Sequence, residues 1–208
     1  GIGDDGALLV PPAGQHLVAV CDTLNSGVHF PVDTAPADIG WKALAVNLSD
    51  LAAMGAVPAW ALLSLSMPQA DAAFLDAFMH GFSALAEVAG IALVGGDTTH
   101  GPLSVCVTAL GFVPNGGALT RTGAQPGDAV FVSGTLGDAA AALRLSQAQV
   151  QSDCVEVRAL RERLNRPTPR LALGEALRGH ATSAIDVSDG LLADLAHVAR
   201  GSGVGIEL

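Results

Sequence analysis

Apolar residues recur along this chain with two periods, which predict a mixture of helices and strands. Over 71–90 the apolar positions have helical spacing and Gly90 follows as a stop signal, so a helix is predicted there. Thr34 and Pro36 begin a second helical pattern, which ends near Gly55. Further helices are predicted after Gly134, after Thr168 and over 191–200.

Shorter apolar runs bounded by glycine or proline predict strands. These runs cover 7–10, 17–21, 60–67, 91–94, 103–112 and 129–132. The turn residues from Pro114 to Gly117 predict a boundary between two α+β domains, over 1–116 and 117–208. The chain starts inside a motif without Met and stops at 205–208 like the beginning of a strand, which indicates a fragment of a longer protein.

Composition and charge exclude several classes of protein. The net charge is −10 with a single lysine, Lys42, so the basic stripe of a nucleic-acid binder is absent. No apolar run reaches the roughly 18 residues that a membrane span needs. The three cysteines, Cys21, Cys106 and Cys154, have no CxxC spacing, which argues against disulfide or zinc frameworks and for the reducing cytoplasm.

Aspartates framed by small residues form five motifs, although the chain has only 20 acidic residues in all. The motifs are Gly3-Asp4-Asp5, Cys21-Asp22-Thr23, Ser49-Asp50, Gly95-Gly96-Asp97-Thr98-Thr99 and Asp186-Val187-Ser188-Asp189-Gly190. Short carboxylates suit hard cations, so the series predicts a magnesium cage that carries phosphates. Asp and Gly are also ordinary turn residues, and a turn is the alternative interpretation of any one motif.

Familiar phosphate loops do not explain the motifs. A Walker A loop needs Gly-Lys-Ser/Thr, which is absent, and residues 1–6 match GxGxxG but lead into a proline-ended run instead of a helix. With one lysine available, metal ions must neutralise most phosphate charge. Arg121 follows a glycine-rich turn and could bind phosphate, although a plain surface arginine is the alternative. His29 lies shortly after Asp22, with a structural role as its alternative.

The motifs together closely resemble the thiamine-monophosphate kinase family. The resemblance spans the chain in order and includes the following segments: Gly1 to Asp5, Asp22 to Leu24, Gly27 to Phe30, Lys42 to Gly55, Gly95 to Thr99, Leu119 to Gly123, Pro126 to Asp128, Ser133 to Asp138 and Asp186 to Leu191. It implies the two-domain aminoimidazole ribonucleotide synthetase-like fold, with an N-terminal mixed sheet that pairs across a homodimer and the start of a second α/β domain.

The resemblance also implies a reaction and a set of site residues. The reaction is ATP-dependent phosphorylation of thiamine monophosphate to thiamine diphosphate, the last step of thiamine diphosphate biosynthesis, with several Mg²⁺ ions and no protein general base. The implied metal ligands are Asp5, Asp22, Asp50, Asp97, Asp186 and Asp189, with weaker contacts from Cys21 and the Val20 carbonyl. The implied ATP contacts are Gly96, Asp97, Arg121 and Ser188, and His29 is the implied thiamine contact.

Departures from the family pattern keep alternatives open. Cys21 stands where the family usually has a hydroxyl residue, so either its carbonyl suffices or one metal contact is weaker. The family's substrate-contacting acid and aromatic residue would lie beyond Leu208. The alternatives are another ATP-using enzyme of the superfamily, such as aminoimidazole ribonucleotide synthetase, selenophosphate synthetase or the hydrogenase-maturation type, and a non-catalytic metal-binding dimerisation module.

Overall fold

The computed structural model describes residues 5–150, 152 and 154–208, and it places all the strands of this part before residue 115. The elements run in the order β1 (Gln15–Asn25), α1 (Pro36–Ala53), β2 (Val57–Met67), α2 (Ala72–Ala89), β3 (Ala92–His100), β4 (Ser104–Pro114), α3 (Asp138–Gln147), α4 (Val155–Asn165), α5 (Leu171–Leu177) and α6 (Leu191–Ser202).

The four strands form one mixed sheet in the order β1-β4-β2-β3. The β1/β4 and β4/β2 pairs are antiparallel, whereas β2 and β3 are parallel. A parallel pair needs a crossover connection, and α2 supplies it. The predicted mixed α+β organisation is therefore confirmed.

Helices α1 and α2 cover one face of the sheet and form the core with it. Ile39, Leu44 and Leu48 of α1 and Phe78 and Phe82 of α2 are buried against the inner-facing strand residues. The two helices approach closely at Gly81, where an added Cβ would overlap the carbonyl oxygen of Ala37. Glycine at this position therefore sets the distance between the helices.

Local signals explain where these two helices begin and end. Pro36 lies in the first turn of α1, where its missing N–H leaves no bond unmade. Asp71 caps α2 by accepting a hydrogen bond from the Phe74 N–H at 3.1 Å. Gly90 ends α2 in the left-handed conformation with φ 67°. Both predicted helices are confirmed.

The opposite face of the sheet, called the outer face below, carries apolar side chains with no covering layer among the described residues. Its members include Leu17, Ala19 and Cys21 of β1, Leu110 and Phe112 of β4, and Trp60 and Leu62 of β2. Leu17 is 47% exposed and Leu62 is 38% exposed. Trp60 packs edge-on against Phe112, with ring centroids 5.1 Å apart.

Three strand predictions are wrong, and the true strands extend beyond their predicted ends, as at 17–21, where β1 covers Gln15–Asn25. The runs at 7–10, 129–132 and 205–208 are not strands, since an apolar run becomes a strand only where another strand can pair with it. Leu8 and Phe131 are accordingly 101% and 89% exposed. The run predicted at 91–94 extends to His100, so the Gly95-Gly96-Asp97 motif lies inside β3.

No described helix combines the length and the apolar character that crossing a bilayer requires.

Candidate functional site

The C-terminal half of α1 faces a cavity of about 420 Å³ between the sheet and the second half of the chain. Asp50 lines this cavity from α1, and Asp186 lines it from the loop before α6. Arg121 contributes from the segment after β4, and Val20 and Cys21 from β1. Five predicted site residues that are distant in sequence therefore meet around one space.

Two polar residues of α1 fix the segments around this cavity. The buried Asn47 side chain accepts a hydrogen bond from the Asp22 N–H at 3.0 Å and donates one to the Ala43 carbonyl at 3.0 Å. The Ser49 hydroxyl donates to Asp186 Oδ2 at 3.2 Å. Helix α1 thus holds β1 on one side and the 186–190 loop on the other.

Asp22, Asp50 and Asp186 form one electrostatic group, called the carboxylate cluster below. Burial is the largest cause that raises the pKa of Asp50 to about 6, and the carboxylates of Asp186 and Asp22 raise it further. Burial likewise raises the pKa of Asp186, against the hydrogen bond from Ser49. The Arg121 guanidinium lowers both pKa values, so it is the cation that faces the cluster.

The 186–190 loop is held from inside by Asp194. This aspartate is 4% exposed, and its Oδ2 accepts hydrogen bonds from the backbone N–H groups of Ser188, Asp189 and Gly190 at 3.0, 3.2 and 3.2 Å. The side chains of Ser188 and Asp189 are exposed on the same loop. The loop therefore exposes the side chains of Ser188 and Asp189, while the backbone N–H groups of residues 188–190 are already hydrogen-bonded to Asp194.

The thiol of Cys21 lies on the outer face, away from the cluster. Side chains alternate along β1, so Cys21 and Asp22 lie on opposite faces of the sheet. Cys21 Sγ is 3.5 Å from Cys106 Sγ and accepts from the Thr108 hydroxyl at 3.5 Å. Of the two possibilities left by the sequence, a contact through the backbone carbonyl of Cys21 fits this geometry.

Gly96 and Asp97 lie far from the cluster in the same chain. Cross-strand partners link Thr23, Cys106, Ser64 and Asp97 in one row. Three strand spacings separate the ends of this row, about 14 Å. Asp97 also shares the outer face with Ser64. Since two ligands of one Mg²⁺ each lie about 2 Å from it, Asp22 and Asp97 of one chain do not share an ion here.

Packing gives Gly96 a structural role besides any ligand role. Its φ is 153°, and an added Cβ would overlap the carbonyl oxygen of Leu63 on β2. Glycine is therefore required for β3 to pair with β2 at this point, whatever else it contacts.

The remaining predicted residues are exposed. Asp5 lies before β1 and does not line the cavity, and the first four residues of its motif lie outside the described residues. His29 Nδ1 accepts from the Asn25 N–H at 2.9 Å, so the neutral ring carries its proton on Nε2. The Lys42 ammonium donates to the His29 carbonyl at 2.9 Å, and burial lowers the pKa of this lysine.

Within residues 5–150, 152 and 154–208, no three His, Cys, Asp or Glu side chains converge closely enough to hold a metal ion. The donor chemistry of the cluster nevertheless suits Mg²⁺, because crowded half-buried carboxylates repel each other until a cation neutralises them. The assignments of metal, ATP and substrate contacts stay predictions.

Sequence reasoning did not give roles to Asn47, Ser49 or Asp194. Each of them lies within a few residues of a site aspartate in the sequence, but the groups that each one binds are visible only in the folded structure. A buried asparagine three residues before Asp50 on a helix is the one signal that could have drawn attention.

Comparisons with known proteins agree with this architecture. The sequence profile described as AIR synthase related protein, N-terminal domain, matches residues 3–113, and its C-terminal counterpart matches 125–208. Thiamine-monophosphate kinase of Escherichia coli strain K12 is 51% identical over 209 residues, which cover 100% of this chain and 64% of that protein.

Two solved structures extend the comparison. The crystal structure of thiamine-monophosphate kinase from Stenotrophomonas maltophilia K279a has a TM-score of 0.93 at 60% identity and covers 98% of this chain and 66% of that one. AaThiL complexed with AMPPCP and TMP has a TM-score of 0.88 at 36% identity and covers 93% of this chain and 63% of that one.

The chain spans less than two thirds of the length of these relatives. The resemblance found from the motifs is confirmed, and so is the predicted aminoimidazole ribonucleotide synthetase-like fold with its mixed sheet, whereas the pairing of the sheet across a homodimer stays a prediction. This chain belongs to the AIR synthase related protein family.

Proposed function

We propose that this chain is the ATP- and metal-binding part of an ATP-dependent kinase that phosphorylates thiamine monophosphate to thiamine diphosphate. The observation that carries the proposal is the convergence of Asp22, Asp50 and Asp186 beside Arg121, in a chain with thiamine-monophosphate kinases among its relatives. AMPPCP is an unreactive ATP analogue, so the ligands of AaThiL support the same pair of substrates.

The reaction needs no general base from the protein. A terminal phosphate oxygen of thiamine monophosphate is already ionised at neutral pH and attacks the γ-phosphorus of ATP. The bond between that phosphorus and the β–γ bridging oxygen breaks, and ADP leaves with the electron pair. The work of the site is therefore to align two anions and to offset their charge.

The carboxylate cluster supplies the groups that would hold Mg²⁺. Asp50 and Asp186 would bind from the cavity and Asp22 from β1 nearby, joined by exposed Asp189 and Asp5 and by the backbone carbonyls of Val20 and Cys21. Mg²⁺ when bound there would neutralise phosphate charge. Arg121 adds the fixed positive charge that a triphosphate needs, and the Ser188 hydroxyl adds a donor on the facing loop.

The loop after β1 fits a role in holding the second substrate. The Asn25 amide fixes the tautomer of His29, which leaves Nε2–H as a donor toward solvent. The only lysine of the chain, Lys42, binds the carbonyl of the same residue. His29 would therefore contact thiamine monophosphate as a neutral donor.

The outer face supports a homodimer. Its apolar side chains at Leu17, Leu62 and Leu110 form a continuous surface across β1, β4 and β2. Exposed apolar patches of this kind mark interaction sites, and a second copy offers the same surface. Asp97 lies on this face, with Gly96 next to it in β3, so both would serve the cluster of the partner subunit. The three free cysteines support a reducing cytoplasm.

A substrate panel on the full-length protein tests the proposal. The protein would be incubated with ATP and Mg²⁺ and, in separate reactions, thiamine monophosphate, formylglycinamidine ribonucleotide, selenide or no acceptor. Phosphorus NMR should show the two coupled signals of thiamine diphosphate with thiamine monophosphate, and ADP should form at the same rate. ADP formation with another acceptor and none with thiamine monophosphate would refute the proposal.

A further inference from the structure

The strongest unassigned feature is the buried carboxylate of Asp194. It lies in the first turn of α6, and one of its oxygens accepts three successive backbone N–H groups, those of Ser188, Asp189 and Gly190. A carboxylate is the one short side chain whose single oxygen can collect several amides with a full negative charge behind it. This cluster of bonds fixes the backbone conformation of the whole loop.

The loop that Asp194 fixes is the one that faces the cavity. Asp186 lies two residues before the first bonded amide and accepts from Ser49 of α1. Asp189 contributes one of the bonded amides itself, and its side chain is exposed. The directions of both carboxylates and of the Ser188 hydroxyl therefore depend on Asp194, which is called the anchor below.

The negative charge of Asp194 does not stabilise the carboxylate cluster. Asp194 is buried, and its negative charge lies close enough to oppose ionisation of Asp186. An apolar residue would avoid both costs but would leave the amides of the loop without this acceptor. The carboxylate therefore holds the loop in one geometry at the cost of burying a charge.

We propose that Asp194 is a positioning residue that holds Asp186, Ser188 and Asp189 in the geometry needed for metal-assisted phosphoryl transfer, an inference that rests on the proposed function. The same carboxylate occupies the three backbone amides that come just before α6. The loop therefore meets a nucleotide through the Ser188 and Asp189 side chains and not through these three amides.

The test compares Asp194→Ala and Asp194→Asn in the full-length protein. Asparagine keeps an oxygen that can accept the amides, whereas alanine keeps none. Hydrogen exchange should accelerate at least about tenfold at the amides of residues 188–190 in Asp194→Ala and much less in Asp194→Asn. The Mg²⁺ concentration for half-maximal turnover should rise about 10- to 100-fold in Asp194→Ala, with the KM for thiamine monophosphate within about threefold.

Val198→Ala is the matched control, because Val198 is 5% exposed one turn further along α6 and makes no side-chain hydrogen bond to the loop. It should lower the Tm without changing the Mg²⁺ requirement. If Asp194→Ala does not fold, Asp194→Ser replaces it, since serine is too short to reach the three amides. An unchanged Mg²⁺ requirement and unchanged exchange in the alanine or serine variant would overturn the inference, as would equal losses in Val198→Ala.

The measurements also separate this inference from the proposed kinase activity. Calorimetric titration of Mg²⁺ in the presence of AMPPCP reports the geometry of the site without turnover. Weaker Mg²⁺ binding and faster local exchange in Asp194→Ala would support the anchor even if the wild-type protein formed no thiamine diphosphate. Unchanged Mg²⁺ binding in an active enzyme would refute the anchor alone.

Discussion

Asp50 is the residue of the carboxylate cluster whose ionised form is disfavoured both by burial and by neighbouring carboxylates. Its carboxyl is half-buried on α1, with Asp186 and Asp22 close by and Arg121 as the opposing cation. These surroundings favour the protonated form and raise the pKa from 3.8 to about 6. At neutral pH the folded protein therefore holds the Asp50 carboxylate in surroundings that disfavour its negative charge. A bound cation would remove this penalty.

Asp50→Asn should stabilise the metal-free protein at neutral pH. Because the folded pKa lies above the unfolded one, stability is full below pH 3.8 and falls as pH rises through about 6. Asparagine removes this loss, worth about 1 kcal/mol after solvent screening, or about 2–4 °C in Tm. Thermal melts in EDTA at pH 7 and pH 4 should show the gain only at pH 7.

The control for that measurement is Asp76→Asn, an exposed aspartate on α2. Its Tm should match the wild type at both pH values. A lower Tm of Asp50→Asn at pH 7 would mean that the ionised carboxylate is already satisfied by protein groups.

At the scale of elements, α1 organises the site and α2 positions α1. Asn47 and Ser49 hold β1 and the 186–190 loop, and Asp50 joins the cluster between them. The depth at which α1 lies on the sheet depends on its contact with α2 at Gly81. A change in this helix contact should therefore reach the cavity, although Gly81 lines no part of it.

Gly81→Ala should destabilise the protein strongly. Its added Cβ would overlap the Ala37 carbonyl oxygen, a backbone atom that moves only if the helices separate. Overpacking of this kind costs about 1–3 kcal/mol or more, beyond the gain in helix propensity. Urea unfolding would measure it, with Ser83→Ala on the exposed side of α2 as the control that should be neutral or slightly stabilising. Equal midpoints for the two variants would contradict the close contact.

Periodicity and capping residues were sufficient to predict α1 and α2, because the signals that begin and end them are local. The runs at 7–10 and 129–132 were as apolar as the true strands, yet pairing requires a neighbour that no local pattern reveals. The same limit applies to the site. The aspartates are visible in the sequence, whereas the bonds of Asn47 and Ser49 exist only after distant segments have packed.

For the whole molecule, the sheet places predicted site residues on two opposite faces. The carboxylate cluster lies on the helix side, whereas Asp97 lies on the outer face, where the described chain has no covering layer. If all of them serve one reaction, a second copy must bring its Asp97 to the cluster. A complete site would then exist only in the homodimer.

Subunit mixing tests this arrangement in the full-length protein. Asp50→Asn and Asp97→Asn, each inactive alone, should regain about a quarter of wild-type activity when mixed and allowed to exchange, because half the dimers then hold one intact site. Asp50→Asn mixed with Asp186→Asn is the control, and it should stay inactive since both residues belong to one cluster. Equal inactivity of the two mixtures would show that Asp97 does not act across subunits.

The central claim is that the cluster around Asp50 holds the Mg²⁺ that carries phosphate. The most direct measurement is the Mg²⁺ dependence of thiamine diphosphate formation by full-length wild-type, Asp50→Asn and Asp76→Asn proteins, followed by phosphorus NMR. Wild type and Asp76→Asn should respond alike to Mg²⁺, and Asp50→Asn should lose at least about 100-fold in turnover while remaining folded. Near-wild-type turnover of Asp50→Asn, with an unchanged Mg²⁺ requirement, would contradict the claim.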